Sequence, residues 1–366
     1  MTRWSLPAIM LAMGAMTACE GSQRSAALPI AEDIFATPGE IRPDATEAQR
    51  LAFERGESIA LKRFGPNDGL GPLFNVTFCA SCHEKPTAGG AAGHYRDFYI
   101  YGQTTADGAF LDGGVRSGVL AAYGLDPAPL RPFPENEANT FAPRNPVPFF
   151  GIGYLAELPE SSILAHADPD DADNDGISGR PNYDRGFVGR FGLKAQTVSI
   201  EGFIRGPIFN HMGITSDPLT ESRRAELPIP SARDVVTDSI EIVSGGLTRR
   251  HFHQAAAPSE PLTDADLVED PELESDALFD LVSWAMLLAA PAPGQKTPAS
   301  LAGEALFESL GCAQCHVPVL DGPRGGIPVY SDLLLHDMGP ELADGITMGL
   351  ASGSEFRTAP LWGIGA

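Results

Sequence analysis

Residues 71–83 read Gly-Pro-Leu-Phe-Asn-Val-Thr-Phe-Cys-Ala-Ser-Cys-His, and residues 306–316 read Leu-Phe-Glu-Ser-Leu-Gly-Cys-Ala-Gln-Cys-His. In each stretch a Leu-Phe pair is followed, after four residues, by Cys-x-x-Cys-His. Two thiols at this spacing reach the two vinyl groups of one haem and form thioethers, and the next histidine lies on the same turn, facing the iron. A thioredoxin-type pair or half of a zinc site needs neither that histidine nor a second distant copy. Cys79, Cys82 and His83 are therefore expected to hold one c-type haem, and Cys312, Cys315 and His316 a second.

The repeat extends outward from the motifs. Downstream of each comes Arg, Pro, an aromatic residue and Gly-Ile-Gly, at 144–153 in the first copy and 357–365 in the second. Matched unusual residues in the same order indicate a duplicated unit. The four motif cysteines leave only Cys19 of the chain's 5, so none remains for a structural disulfide. Arg3, the short apolar stretch 6–16 and Met16-Thr17-Ala18-Cys19 read as an export signal with a lipoprotein cleavage box. That stretch is too short to span a membrane. Residues 1–19 are thus expected to be the signal and Cys19 the lipidated residue that fixes the protein to a membrane from the periplasm; ordinary cleavage nearby is the alternative. No later segment is apolar for long enough to span.

Residues 20–45, Pro/Ala-rich and without periodicity, read as a flexible tether. Thr46 and Gln49 form a capping-box pattern that starts a helix. Residues 46–160 and 291–366 carry the two motifs. Residues 161–290 form a middle segment with an Asp-rich loop and a helix around 278–286. With 40 Gly and 32 Pro, long irregular connections and little sheet are expected. The net charge of −23 argues against nucleic acid and against an anionic membrane face. It suits a basic redox partner, although a solvated acidic face is the commoner explanation.

The sixth iron ligands decide between electron transfer and small-molecule chemistry. No methionine lies between His83 and His211. The far face of the first haem is then open, filled by a histidine such as His94, or covered by His211-Met212. Met338 and Met348 are the candidates for the second haem. Asp171, Asp173 and Asp175 alternate as in a calcium loop closed by Gly176, but Asn182 stands where an EF-hand has its bidentate glutamate, and a solvated acidic turn is the alternative. Trp284 and Trp362 read as core aromatics or electron relays.

Seven segments carry a wider resemblance: GPLFNVTFCASCH (71–83), FGIGYLAELPE (150–160), DNDGISGRPN (173–182), MGIT (212–215), GCAQCHVP (311–318), YSDLLLHDMGPELADG (330–345) and SEFRTAPLWGIG (354–365). From about Gly71 to the end the chain resembles the bacterial di-haem oxidoreductases, also called thiol-oxidoreductase-like and related to the di-haem cytochrome c peroxidases. The resemblance implies a mainly α fold of two cytochrome-c-like domains with long irregular loops. It also implies electron transfer from a small redox protein or quinol-linked donor to a small-molecule oxidant, or a non-catalytic di-haem carrier. In the peroxidases a Gly-Pro-x-x-Asn segment ends in Glu-Met, the glutamate moving protons over the open haem. Here residues 206–212 read Gly-Pro-Ile-Phe-Asn-His-Met, so His211 stands in that place. Histidine can move protons near neutral pH or ligate iron. Relatives also continue past the Arg357 motif, so the second domain is expected to be incomplete at residue 366.

Overall fold

A computed structural model describes residues 29–114, 116–125, 138–229, 261–264, 266 and 268–365, together with the backbone of 240–244 and 247–251. The export signal and Cys19 lie outside the described residues. Seven α-helices are described: α1 (Glu47–Leu61), α2 (Ile152–Glu157), α3 (Glu160–Leu164), α4 (Ile200–Met212), α5 (Glu221–Arg224), α6 (Ser275–Leu287) and α7 (Pro298–Ser309). The capping box is present at α1: the Thr46 hydroxyl accepts from Gln49 N–H, and the Gln49 side chain accepts from Thr46 N–H.

Helix α6 is apolar nearly all round, as a central helix must be, and Leu278 to Leu287 are all buried. Its main neighbour is α1. A side chain at Gly56 would start 2.1 Å from the Asp280 carbonyl, so the two backbones meet there and only glycine fits. Gly153 of α2 allows an equally close approach to Met286. Arg55 grips Asp280 with two parallel bonds of 2.6 and 2.7 Å at the rim of the α1–α6 contact. Ile34 is fully buried, and Phe35–Ala36 pairs in parallel with Ala290–Pro291. Packing therefore begins inside the stretch read as tether.

The expectation of a mainly α protein is corrected: the described residues are 27% helical with 18% strand, the strands gathered in multiple small sheets. The cause lies in the glycines and prolines. They interrupt helical propagation, and the backbone groups of the intervening connections pair instead in ladders of two to seven residues.

Two of these sheets position the functional residues. Phe98–Thr104 lies between Phe110–Asp112 and Thr140–Arg144, all antiparallel. Ile100, Val119 and Ala142 of this region pack with Ile346 and Met348 from near the end of the chain. In the second sheet Leu335–Asp337 lies between Glu355–Arg357 and Gly179–Arg180.

Candidate functional site

The first motif begins in a 3₁₀ turn, Cys79–Ser81, after which His83 N–H still bonds back to the Cys79 carbonyl. This turn sets Cys79, Cys82 and His83 on one wall of a cavity of about 380 Å³. Val76, Phe98, Phe149, Phe203, Ile208 and Trp284 make much of the remaining wall apolar. The volume is in the range of a small-molecule site. The His83 Nδ1 lies 3.2 Å from the Gly90 carbonyl and donates to it, and the Val147 carbonyl is a second hydrogen-bond partner of the ring. Phe149 stacks on the imidazole at 4.1 Å and fixes its plane. The ring is enclosed except where it meets the cavity, and this burial lowers its pKa to about 4, so it is neutral and able to ligate.

His211 stands on the wall of the same cavity, at the last turn of α4. Its protonation is set by a chain of bonds. The Ala122 N–H donates to Asn75 Oδ1 at 2.7 Å, which turns the Asn75 amide nitrogen toward His211 Nδ1 at 3.1 Å. Nδ1 is then an acceptor, and the neutral ring carries its proton on Nε2. Burial, with further help from His83 and Arg116, lowers its pKa to about 4. Met212 is buried and also lines the cavity.

The second motif repeats the local geometry. Cys312–Gln314 is again a 3₁₀ turn, and His316 Nδ1 donates to the Tyr330 carbonyl at 2.9 Å. The surroundings differ. Helix α7 buries none of its residues, Cys312 is exposed, and Leu310 is 74% exposed. Cys315 Sγ lies 3.7 Å from His336 Nδ1, and His336 Nε2 donates to Asp332 at 2.8 Å. Burial alone would lower the His336 pKa, but its bonds to Asp332 and Cys315 outweigh this and raise it to about 10. This histidine is an imidazolium where His211 is neutral.

The other residues singled out in the sequence are dispersed. His94 lies on the surface, paired with Asp97. Met338 is 48% exposed, while Met348 lines the first cavity, not the second site. Asp171 and Asp173 join Asp168 in a carboxylate cluster whose oxygens lie within 4.8 Å of one another. Asp175 is not part of it; its carboxylate accepts from Gln314 Nε2 at 2.6 Å, tying the Asp-rich loop to the second motif. A second such cluster, Asp264, Asp270 and Glu272, had no sequence signature. Trp284 is in the core and also on the cavity wall, its Nε1–H without a partner. Reading the motifs alone also missed Phe149 and Arg144 as cavity residues and Asn75 as the partner of His211, although Arg144 was visible as a repeated position.

Cavity and motifs fit a haem: paired free thiols, a histidine with Nδ1 anchored on a backbone carbonyl, an apolar wall, and an unpartnered Trp284 N–H lining the pocket. This is the site of a haem oxidoreductase. The chain belongs to the family described as di-haem oxidoreductase, putative peroxidase, which it matches over residues 136–366; the family name implies two haems. The match includes His211 and the second motif and begins beyond the first. No curated protein and no solved structure matches the chain.

Proposed function

We propose that the chain is an exported di-haem c-type oxidoreductase of the peroxidase-like kind. It would pass electrons between two covalently held haems to a small oxidant at the first cavity. The observation that carries this is shared by both motifs: each histidine donates Nδ1 to a backbone carbonyl, the anchoring by which an imidazole is oriented to present Nε2 to a metal. Cys79 and Cys82 would hold the first haem by thioethers with His83 on its iron, and Cys312, Cys315 and His316 the second. When bound, haem supplies the one-electron chemistry that no side chain here can.

The residues of the chain do the rest. Asn75 holds His211 with its Nε2–H unspent, a hydrogen-bond donor for a small polar oxidant held in the cavity. The apolar walls exclude water from that donor and strengthen its bond. Phe149 keeps the His83 plane fixed. In this reading His211 is a positioning donor, not an iron ligand, because its Nδ1 is occupied by Asn75 and its Nε2 bears the proton. The acidic surface supports a basic small redox protein as electron partner, and the leader-like N-terminus supports a lipid-anchored periplasmic location. The Asp168, Asp171 and Asp173 cluster supports a structural calcium ion.

Low-temperature electron paramagnetic resonance of the oxidised protein, with a pyridine haemochrome assay, tests the reading. A high-spin ferric signal beside a low-spin one, with thioether-type haemochrome bands, is expected. Two low-spin signals that persist on half-reduction would instead indicate the electron carrier. His211→Ala should reduce turnover with hydrogen peroxide about 100-fold if its N–H acts as proposed, and full turnover would remove it from the mechanism.

A further inference from the structure

A smaller cavity of about 70 Å³ adjoins the first and shares Val147, Gly192 and Phe203 with it. On its far side stand Arg357, Pro360 and Trp362, from the sequence repeat that follows the second motif. Two guanidinium groups, Arg190 and Arg357, border this small and otherwise mainly apolar space. Arg190 is 4% exposed and Arg357 9%. Every side-chain bond described for either goes to a neutral backbone carbonyl: Leu155 and Ala156 for Arg190, Gly192 and Thr358 for Arg357. The Arg190 Nε has no partner at all.

Among the described residues no carboxylate forms an ion pair with either group. The nearest candidates are engaged elsewhere. Glu160 accepts from Val188 N–H, and Asp332 accepts from His336 and from Leu334 N–H. Burial lowers both arginines to about 10, the direction expected of cations short of counter-charge. Burying an unpaired charge is costly, and two beside one cavity are tolerated when an anion completes them. The planar fork of arginine matches a carboxylate with two bonds.

We infer that Arg190 and Arg357 form a carboxylate-binding subsite between the two haem motifs. The carboxylate comes either from a haem propionate, in which case the inference rests on the haem reading above, or from a small free acid. The repeat then has two uses. Its first arginine, Arg144, is neutralised by Asp344, whereas its second, Arg357, awaits an external anion.

The test uses the haem-loaded protein, its haem content verified by pyridine haemochrome so that failure of the haem reading is seen separately. Sodium formate is titrated by calorimetry, and the midpoint potential of each haem is measured, in wild type and in Arg190→Gln. If the acid is free, formate binds once per chain, and Arg190→Gln weakens it about tenfold or more. If a propionate fills the site, formate does not bind. Arg190→Gln then lowers the potential of one haem, because a cation that favoured the reduced state is lost, and leaves the other unchanged. No formate binding together with unchanged potentials would overturn the inference. Should Arg190→Gln not fold, a crystal structure of the wild type grown in formate decides: a carboxylate oxygen bonded to Arg190 Nε supports the subsite, and water alone there refutes it.

Discussion

The 79–83 and 312–316 segments share spacing, a 3₁₀ turn and a histidine anchored on a carbonyl, yet one is set into the protein and the other lies on it. His83 sits against Phe149, which in turn meets Trp284 edge-on in the main core. His316 meets edge-on Phe307, which in turn meets Tyr330 and stands on a helix that buries nothing. The charged neighbours are opposite too: neutral His211 faces the first cavity and the His336 imidazolium touches the second motif. The motif specifies how a histidine is presented, and the rest of the chain specifies what that histidine can be used for.

The largest test of this difference removes the thiols. Cys79→Ser with Cys82→Ser should lose one haem and also fold stability, since the first cavity would stand empty in the core. Cys312→Ser with Cys315→Ser should lose one haem with little change in the melt. Haem stoichiometry and thermal denaturation read both, and equal destabilisation would break the comparison. Next come the aromatic supports. Phe149→Ala should cost about 3–5 kcal/mol, and Phe307→Ala on the exposed helix about 1 kcal/mol or less, by denaturant melts.

The acid and alkaline limbs should then separate the sites. His211 is depressed in the folded state, so its neutral burial favours folding above the unfolded pKa of about 6.5 and loses ground as pH falls toward 4. His336 is raised, so its contribution is complete below about 6.5 and is lost as pH rises through 10. His211→Gln should flatten the acid limb of stability against pH, and His336→Gln the alkaline limb. If either substitution flattened the other limb, the assignment of charge states would be wrong. The smallest effect is expected at Gln314→Ala, which removes the bond to Asp175 near the surface and should cost about 1 kcal/mol or less while shifting only the spectrum of the second haem.

What the sequence made legible was local. The CxxCH spacing, the Thr46–Gln49 cap and the helix near 278–286 are each decided within a few residues, and all three are found. The placement of His211 on the cavity was one of three alternatives left by the methionine positions, and only a family resemblance gave it a role in proton transfer. Phe149 gave no signal, and Met348 and Arg144 stood out without their place on the first cavity, because these roles depend on which distant segments meet. The same holds for Met348 facing the first cavity when it follows the second motif in the chain. The mainly α expectation failed for a related reason: two-residue ladders such as Leu73–Phe74 with Tyr123–Gly124 are too short to leave a periodic pattern.

The crossing of Ile346 and Met348 onto Ile100, Val119 and Ala142 bears on inheritance. The two motif-bearing segments share a wall, so a recombination event in the connection between them would deliver neither half intact. The first half would arrive with its cavity breached along one side, and the second with an apolar pair facing solvent. Relatives built this way are therefore expected to travel as whole genes, and to diverge by changing residues within the shared wall instead of by trading halves.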